Sequence, residues 1–124
     1  MMTNSAPTFP PHLQQAYESY QQRRLLTREL LIAKVRRHTE TVMEASREAQ
    51  LDVGTAGELG MALLRMLREC GDEELAYAQA AVFYFVESDD EEPDLSSPEG
   101  FRDDAEFFNC ICDFLNRPDL TVRL

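Results

Sequence analysis

Residues 75–86 read LAYAQAAVFYFV, and this stretch decides the fold. It is apolar nearly all round on a helical wheel, and a helix without a polar face is normally the one that other elements surround. As a helix it covers only about 18 Å, which is too short for the roughly 30 Å hydrocarbon core of a membrane. A buried strand has a similar composition, but no second strand is available to pair with it. We therefore predict a buried central helix over residues 73–86.

The composition is that of a folded chain with one strongly acidic half. The chain has 124 residues, of which 44% are hydrophobic, so it has enough apolar material to order itself despite a net charge of −11. Residues 1–68 hold nine basic and seven acidic groups, whereas residues 69–124 hold three basic and sixteen acidic groups. So much negative charge would repel phosphates and anionic lipids. We therefore expect no nucleic-acid partner and no adsorption to anionic lipid, and the short apolar run at 75–86 predicts no membrane insertion.

The segment from Pro11 to Val53 has no internal Gly or Pro and is rich in Gln, Arg, Glu, Leu and Ala, which favours helix. One helix of about 40 residues would span ~60 Å, while a compact domain of this length has a radius of gyration near ~14 Å. Either the segment breaks into a hairpin, near Arg36–Thr39, or its exposed part packs against another subunit. We predict a long N-terminal helix or helical hairpin over residues 11–50, and the second alternative would give a homodimer through this helix.

Two more helical segments complete the predicted fold. The chain turns at residues 51–54 before one helix, and a last helix runs from about Phe101 or Asp103 to Asn116, before Pro118 stops it. The prediction is an all-α bundle of four or five helices around the central helix. The predicted parts are a flexible lead-in at 1–10, a single helical domain at 11–117 and a C-terminal tail at 118–124.

An acidic loop separates the central helix from the last one. Residues 87–104 read ESDDEEPDLSSPEGFRDD, with nine Asp or Glu and one Arg. One interpretation is a solvated turn in which Pro93 stops the helix and Gly100 permits the loop's geometry. A second is a surface that offers carboxylates to Arg or Lys of a partner. Its predicted partner-binding residues are Asp89, Asp90, Glu91, Glu92 and Asp94.

The third interpretation of the loop is a divalent-metal site. A calcium loop of the EF-hand type fails, because Leu95 stands where Gly is needed and Phe101 where a bidentate Glu is needed. A looser site for Mg²⁺ or Ca²⁺ stays open, and its predicted ligands are Asp90, Asp94, Asp103 and Asp104.

The same region resembles a known family. The order Tyr84, Asp90, Pro93, Asp94, Gly100, Asp103, Asp104 is similar to the core motif of the YkvA-like family of small bacterial helical proteins, and the resemblance covers residues 74–119. Glu91 and Glu92 replace the family's apolar residues between Asp and Pro. The resemblance implies a helical fold and brings no established catalytic activity with it.

No catalytic signature is present in the sequence. There are two histidines, His12 in the lead-in and His38 on an apolar stripe, and neither belongs to a metalloprotease-like motif. The three cysteines have no CxxC spacing, which argues against a zinc site. Their odd count, without the spacing of a disulfide framework, indicates reduced thiols. The N-terminus lacks the basic and apolar regions of a signal peptide, so we expect a cytoplasmic protein.

These observations favour a non-catalytic interaction or regulatory protein that presents its acidic loop and face, residues 87–104, to a basic partner protein. The alternative is a divalent-metal-binding protein, or a metal-dependent enzyme, that uses the Asp cluster.

Overall fold

The computed structural model describes residues 7–49, 54–87 and 102–122, and within these ranges the chain is helical and contains no strand. The prediction of an all-α fold of four or five helices is confirmed, with five α-helices in the described ranges. The helices are α1 (Pro11–Gln21), α2 (Arg28–Ala49), α3 (Gly54–Glu69), α4 (Leu75–Glu87) and α5 (Arg102–Phe114). Short 3₁₀ turns at Asp72–Glu74 and Pro118–Leu120 precede α4 and follow α5.

Helix α4 contains the apolar stretch of residues 75–86. It contacts each of the other four helices, and eight of its thirteen residues are buried. Phe85 and Val82 are among the largest side chains that solvent does not reach, together with Phe107 and Phe108 of α5 and Leu63 of α3. Each such side chain contributes roughly 1.5–3 kcal/mol when it is fully buried. Among the helices of the described ranges, none has both the length and the apolar composition that crossing a bilayer requires.

The N-terminal segment breaks, but the predicted position of the break was wrong. Helix α2 runs without interruption through Arg36–Thr39, and the break lies at residues 22–27. The buried side chain of Gln79 explains this position: its Oε1 accepts the N–H of Leu26 at 2.7 Å, and its Nε2 donates to the carbonyl of Arg24 at 2.9 Å. The hydrogen bonds from Gln79 of α4 therefore set where the helix is interrupted. The interrupted segment itself contains no Gly or Pro that could do so.

Helices α2 and α3 approach each other closely at Gly60. A Cβ atom at this position would lie 2.5 Å from Oγ1 of Thr39 and 3.1 Å from its Cγ2. Thr39 cannot easily turn away, because its hydroxyl donates to the carbonyl of Val35 at 2.7 Å. At Gly57, by contrast, an added Cβ would meet only Cε of Met43, the flexible tip of a long side chain. Gly60 is thus the position at which the helix contact requires the absence of a side chain.

Arg28, the first residue of α2, binds the C-terminal end of α3. The guanidinium of Arg28 donates to the carbonyls of Leu67 and Cys70, the latter at 2.9 Å, and to the carboxylate of Asp72 at 2.8 Å. Carbonyls in the last turn of a helix have no partner within the helix. Arg28 supplies two of those partners from another helix.

The packed region extends past both ends of the predicted domain, 11–117. Phe9 is buried, and its ring stacks on Phe107 with centroids 4.7 Å apart. Leu120 and Val122 are buried at the other end. Asn109 of α5 holds Val122 by accepting its N–H and donating to its carbonyl, both at 2.8 Å.

Candidate functional site

The two ends of the acidic loop leave the bundle at the same end. The ring of Tyr84, near the end of α4, stacks on Phe107, in the second turn of α5, with centroids 4.6 Å apart and planes 20° from parallel. Because Phe107 is buried and also packs on Phe9, this stack fixes the two helices beside each other. Glu87, the last residue of α4, and the start of α5 are therefore held together on either side of residues 88–101.

Two basic residues from the N-terminal part of the chain lie at this end. The guanidinium of Arg23 donates two hydrogen bonds of 3.0 Å to the carboxylate of Glu87 and lies 4.7 Å from the ring centroid of Phe83. The bonds to Glu87 raise the pKa of Arg23. Nε2 of His12, which lies in the first turn of α1, is 3.2 Å from Oε1 of Glu106 and 3.9 Å from Oδ1 of Asp103.

The structure places two of the predicted metal ligands. The side chain of Asp103 is 61% exposed, whereas Asp104 is 3% exposed, so these neighbours do not present their carboxylates on one surface. The other predicted ligands, Asp90 and Asp94, lie outside the described residues. Across the parts of the chain that the structure describes, no group of three or more His, Cys, Asp or Glu side chains is arranged to hold a metal ion. The predicted partner-binding residues also lie outside the described residues: Asp89, Asp90, Glu91, Glu92 and Asp94.

His38 and the three cysteines are all buried or partly buried. His38 is partly buried, and its ring meets that of Phe85 edge-on at 4.7 Å, which fits its position on the apolar stripe. All three cysteines are free thiols. Burial is the largest cause of the raised pKa of Cys70 and Cys110, and it raises the pKa of Cys112 to about 12. Thiols with such pKa values are protonated at neutral pH and are poor nucleophiles.

A group of paired charges lies on another part of the surface and was missed in the sequence. Arg65 contacts Glu69 at 2.9 Å and Asp119 at 3.1 Å, and Arg117 contacts the same two carboxylates at 2.5 and 3.0 Å. Hydrogen bonds from Arg117 are the main cause of the lowered pKa of both Glu69 and Asp119. Only the Arg65–Glu69 pair, four residues apart on one helix, has a local signal in the sequence.

These paired charges border a cleft between α3 and the C-terminal residues. The cleft has a volume of about 520 Å³ and an apolar wall formed by Met61, Ala62, Leu120 and Val122. Its Arg65 is already bound to two carboxylates. A partner that entered this cleft would therefore meet an arginine whose charge is already paired.

Comparison with known proteins gave no match among family models, curated proteins or solved structures.

Proposed function

We propose that this chain is a non-catalytic interaction or regulatory protein whose acidic loop and face, residues 87–104, bind a basic surface of a partner protein. One observation carries the proposal. Residues 88–101 contain six carboxylates and no basic residue, and the residues on either side of them are held at one end of the bundle by the stack of Tyr84 on Phe107.

The surrounding charges support this role. The described arginine at this end, Arg23, is paired with Glu87, which lies outside residues 88–101. Its charge is therefore already occupied by another carboxylate, and Nε2 of His12 lies 3.2 Å from Oε1 of Glu106. A concentration of like charge at one end of a small domain attracts oppositely charged partners and raises the rate of association, and salt weakens this attraction.

The proposal is tested with an octa-arginine peptide as the probe, by fluorescence anisotropy. In the loop variant, Asp89, Asp90 and Asp94 become Asn, and Glu91 and Glu92 become Gln. In the control variant the same number of exposed carboxylates is neutralised elsewhere, at Glu18, Glu29, Glu58, Glu73 and Asp113. Both variants have the same net charge, so they differ only in where the charge was removed.

We expect the loop variant to bind the peptide at least about tenfold more weakly than the wild type, and the control to bind within about threefold of it. Equal weakening in both variants would contradict the proposal, because net charge alone would then explain the binding.

Calorimetry tests the metal alternative on the same protein. Ca²⁺, Mg²⁺ and Mn²⁺ are titrated into the wild type and into the Asp103→Asn/Asp104→Asn variant. Because Asp104 is buried, the single variant Asp103→Asn is measured beside it. Micromolar metal binding that both variants lose would contradict the interaction role and favour the Asp cluster as a metal site.

Two further expectations belong to the same proposal. They are kinship with the YkvA-like family, on the motif that begins at Tyr84 and ends at Asp104, and a cytoplasmic location.

A further inference from the structure

The exposed face of α2 carries opposite charges in its two halves. Lys34 and Arg37 are exposed in the first half of the helix, and Glu40 and Glu44 are exposed in the second. Arg37 and Glu40 are three residues apart, a spacing that permits a pair on one helix. Among the described residues, however, no carboxylate oxygen lies within 4.0 Å of the charged nitrogens of Lys34 or Arg37.

A groove with acidic residues on its rim runs beside the second half of this face. It lies between α2 and α3 and has a volume of about 530 Å³. Met43 and Leu64 supply apolar atoms, Glu40 and Glu44 supply two carboxylates, and Arg36 and Thr39 complete the lining, so the charged groups of the groove are two acidic and one basic. Such a groove suits a long basic side chain, whose aliphatic stem packs on apolar atoms while its charged end meets a carboxylate.

A second copy of the chain supplies basic side chains at the required spacing. In a two-fold symmetric interface each contact occurs twice with the roles exchanged. If the exposed faces of two α2 helices meet antiparallel, with the two-fold axis at the level of residue 39 along the helix, Lys34 of each copy faces Glu44 of the other, and Arg37 lies beside Glu40. Because Lys34 and Arg37 and the carboxylates of the groove all belong to α2, the exposed face of α2 is complementary to itself.

We propose that α2 forms an antiparallel, two-fold symmetric dimer in which Lys34 and Arg37 of each copy enter the Glu40–Glu44 groove of the other. Leu30, with 52% of its surface exposed one turn before Lys34, adds apolar contact at the edge. The residues proposed for this contact are all outside residues 87–104.

Charge reversal tests the dimer by sedimentation velocity at concentrations from about 10 to about 500 µM, where weak interfaces dissociate. One variant is Lys34→Glu/Arg37→Glu and the other is Glu40→Lys/Glu44→Lys. Each alone places like charges against each other, so we expect the dimer Kd to rise at least about tenfold. An equimolar mixture of the two places opposite charges together at both contacts, and we expect the dimer to return.

A control separates this interface from an effect of net charge. Arg24→Glu/Arg68→Glu reverses two exposed arginines off this face and changes the net charge as much as Lys34→Glu/Arg37→Glu does. We expect it to dimerise like the wild type. Glu40→Lys/Glu44→Lys lowers the overall negative charge, so a dimer limited only by net repulsion would become stronger in this variant.

A wild-type chain that stays monomeric over the whole range would overturn the proposal. A mixture of the two variants that stays monomeric would also overturn it. So would a control variant whose dimerisation is weakened as much as that of the two charge-reversal variants. Binding of the octa-arginine peptide is measured separately, so failure of the dimer leaves the test of the acidic loop intact.

Discussion

The buried amide of Gln79 offers a sharp test of how the N-terminal helices are held. Gln79 is 3% exposed and joins the break at residues 22–27 to α4 through one accepted and one donated hydrogen bond. In Gln79→Glu the shape is kept, and a carboxylate still accepts the N–H of Leu26. Its other oxygen, however, faces the carbonyl of Arg24 with no proton to donate.

The cost of this change depends on pH. Burial and the facing carbonyl disfavour the charged form, so the pKa of the introduced carboxyl is raised above its unfolded value of about 4.3. A rise of about two pKa units costs roughly 3 kcal/mol of unfolding free energy at neutral pH, since each unit is ~1.4 kcal/mol. Below pH ~4 the acid is protonated in both states and can donate to Arg24, so the loss disappears. Between the two pKa values, stability falls as pH rises.

Urea unfolding of wild type, Gln79→Glu and Gln79→Met between pH 4.5 and 7.5 measures this effect. The other carboxylates titrate alike in all three proteins, so differences between them isolate position 79. We expect the difference in unfolding free energy between wild type and Gln79→Glu to become smaller as pH falls. Gln79→Met should lose roughly 2–4 kcal/mol at every pH, because two backbone groups lose their partners. A gap for Gln79→Glu that stays constant with pH would refute the reasoning.

The remaining predictions concern helix packing and thiol burial. Gly60→Ala should destabilise the protein by roughly 1–2 kcal/mol in urea unfolding, because the contact with Thr39 outweighs the gain in helix propensity. Gly57→Ala should be neutral or stabilising by up to ~1 kcal/mol, and an equal loss in both variants would contradict the packing argument. In the native protein Ellman's reagent should modify the partly exposed Cys110 at least about tenfold faster than the buried Cys112, as followed by mass spectrometry. Faster reaction of Cys112 would contradict its burial.

The all-helical fold was predictable because the apolar pattern of a helix can be read from short stretches of sequence. No second stretch offered a strand that could pair with residues 75–86. Residues 75–86 are apolar on nearly every side of the helix, so the burial of this helix can be predicted without knowing which elements pack against it. A break in the N-terminal segment was predictable from its length, but the position of the break was not predictable from local composition. It depends on Gln79, 53 residues beyond Leu26 in sequence, and an amide within an apolar run does not reveal which backbone it will bind.

The candidate site was predictable only as a concentration of charge. Six carboxylates in residues 88–101 are visible in the sequence, but the stack of Tyr84 on Phe107 that holds the flanking helix ends together is not. The pairing of Arg23 with Glu87, 64 residues apart, has no local signal either. Arg23 and Glu87 come together because α1 packs against α4, and that packing depends on the whole core.

The central claim is that the acidic end of the bundle binds a basic surface. An NMR titration of the ¹⁵N-labelled chain with the octa-arginine peptide tests it most directly, because every backbone amide reports separately. We expect saturable shifts concentrated in residues 87–104, which disappear at about 0.5 M salt. Shifts spread evenly over all acidic surfaces, or centred on exposed carboxylates such as Glu58 and Glu73, would contradict the account.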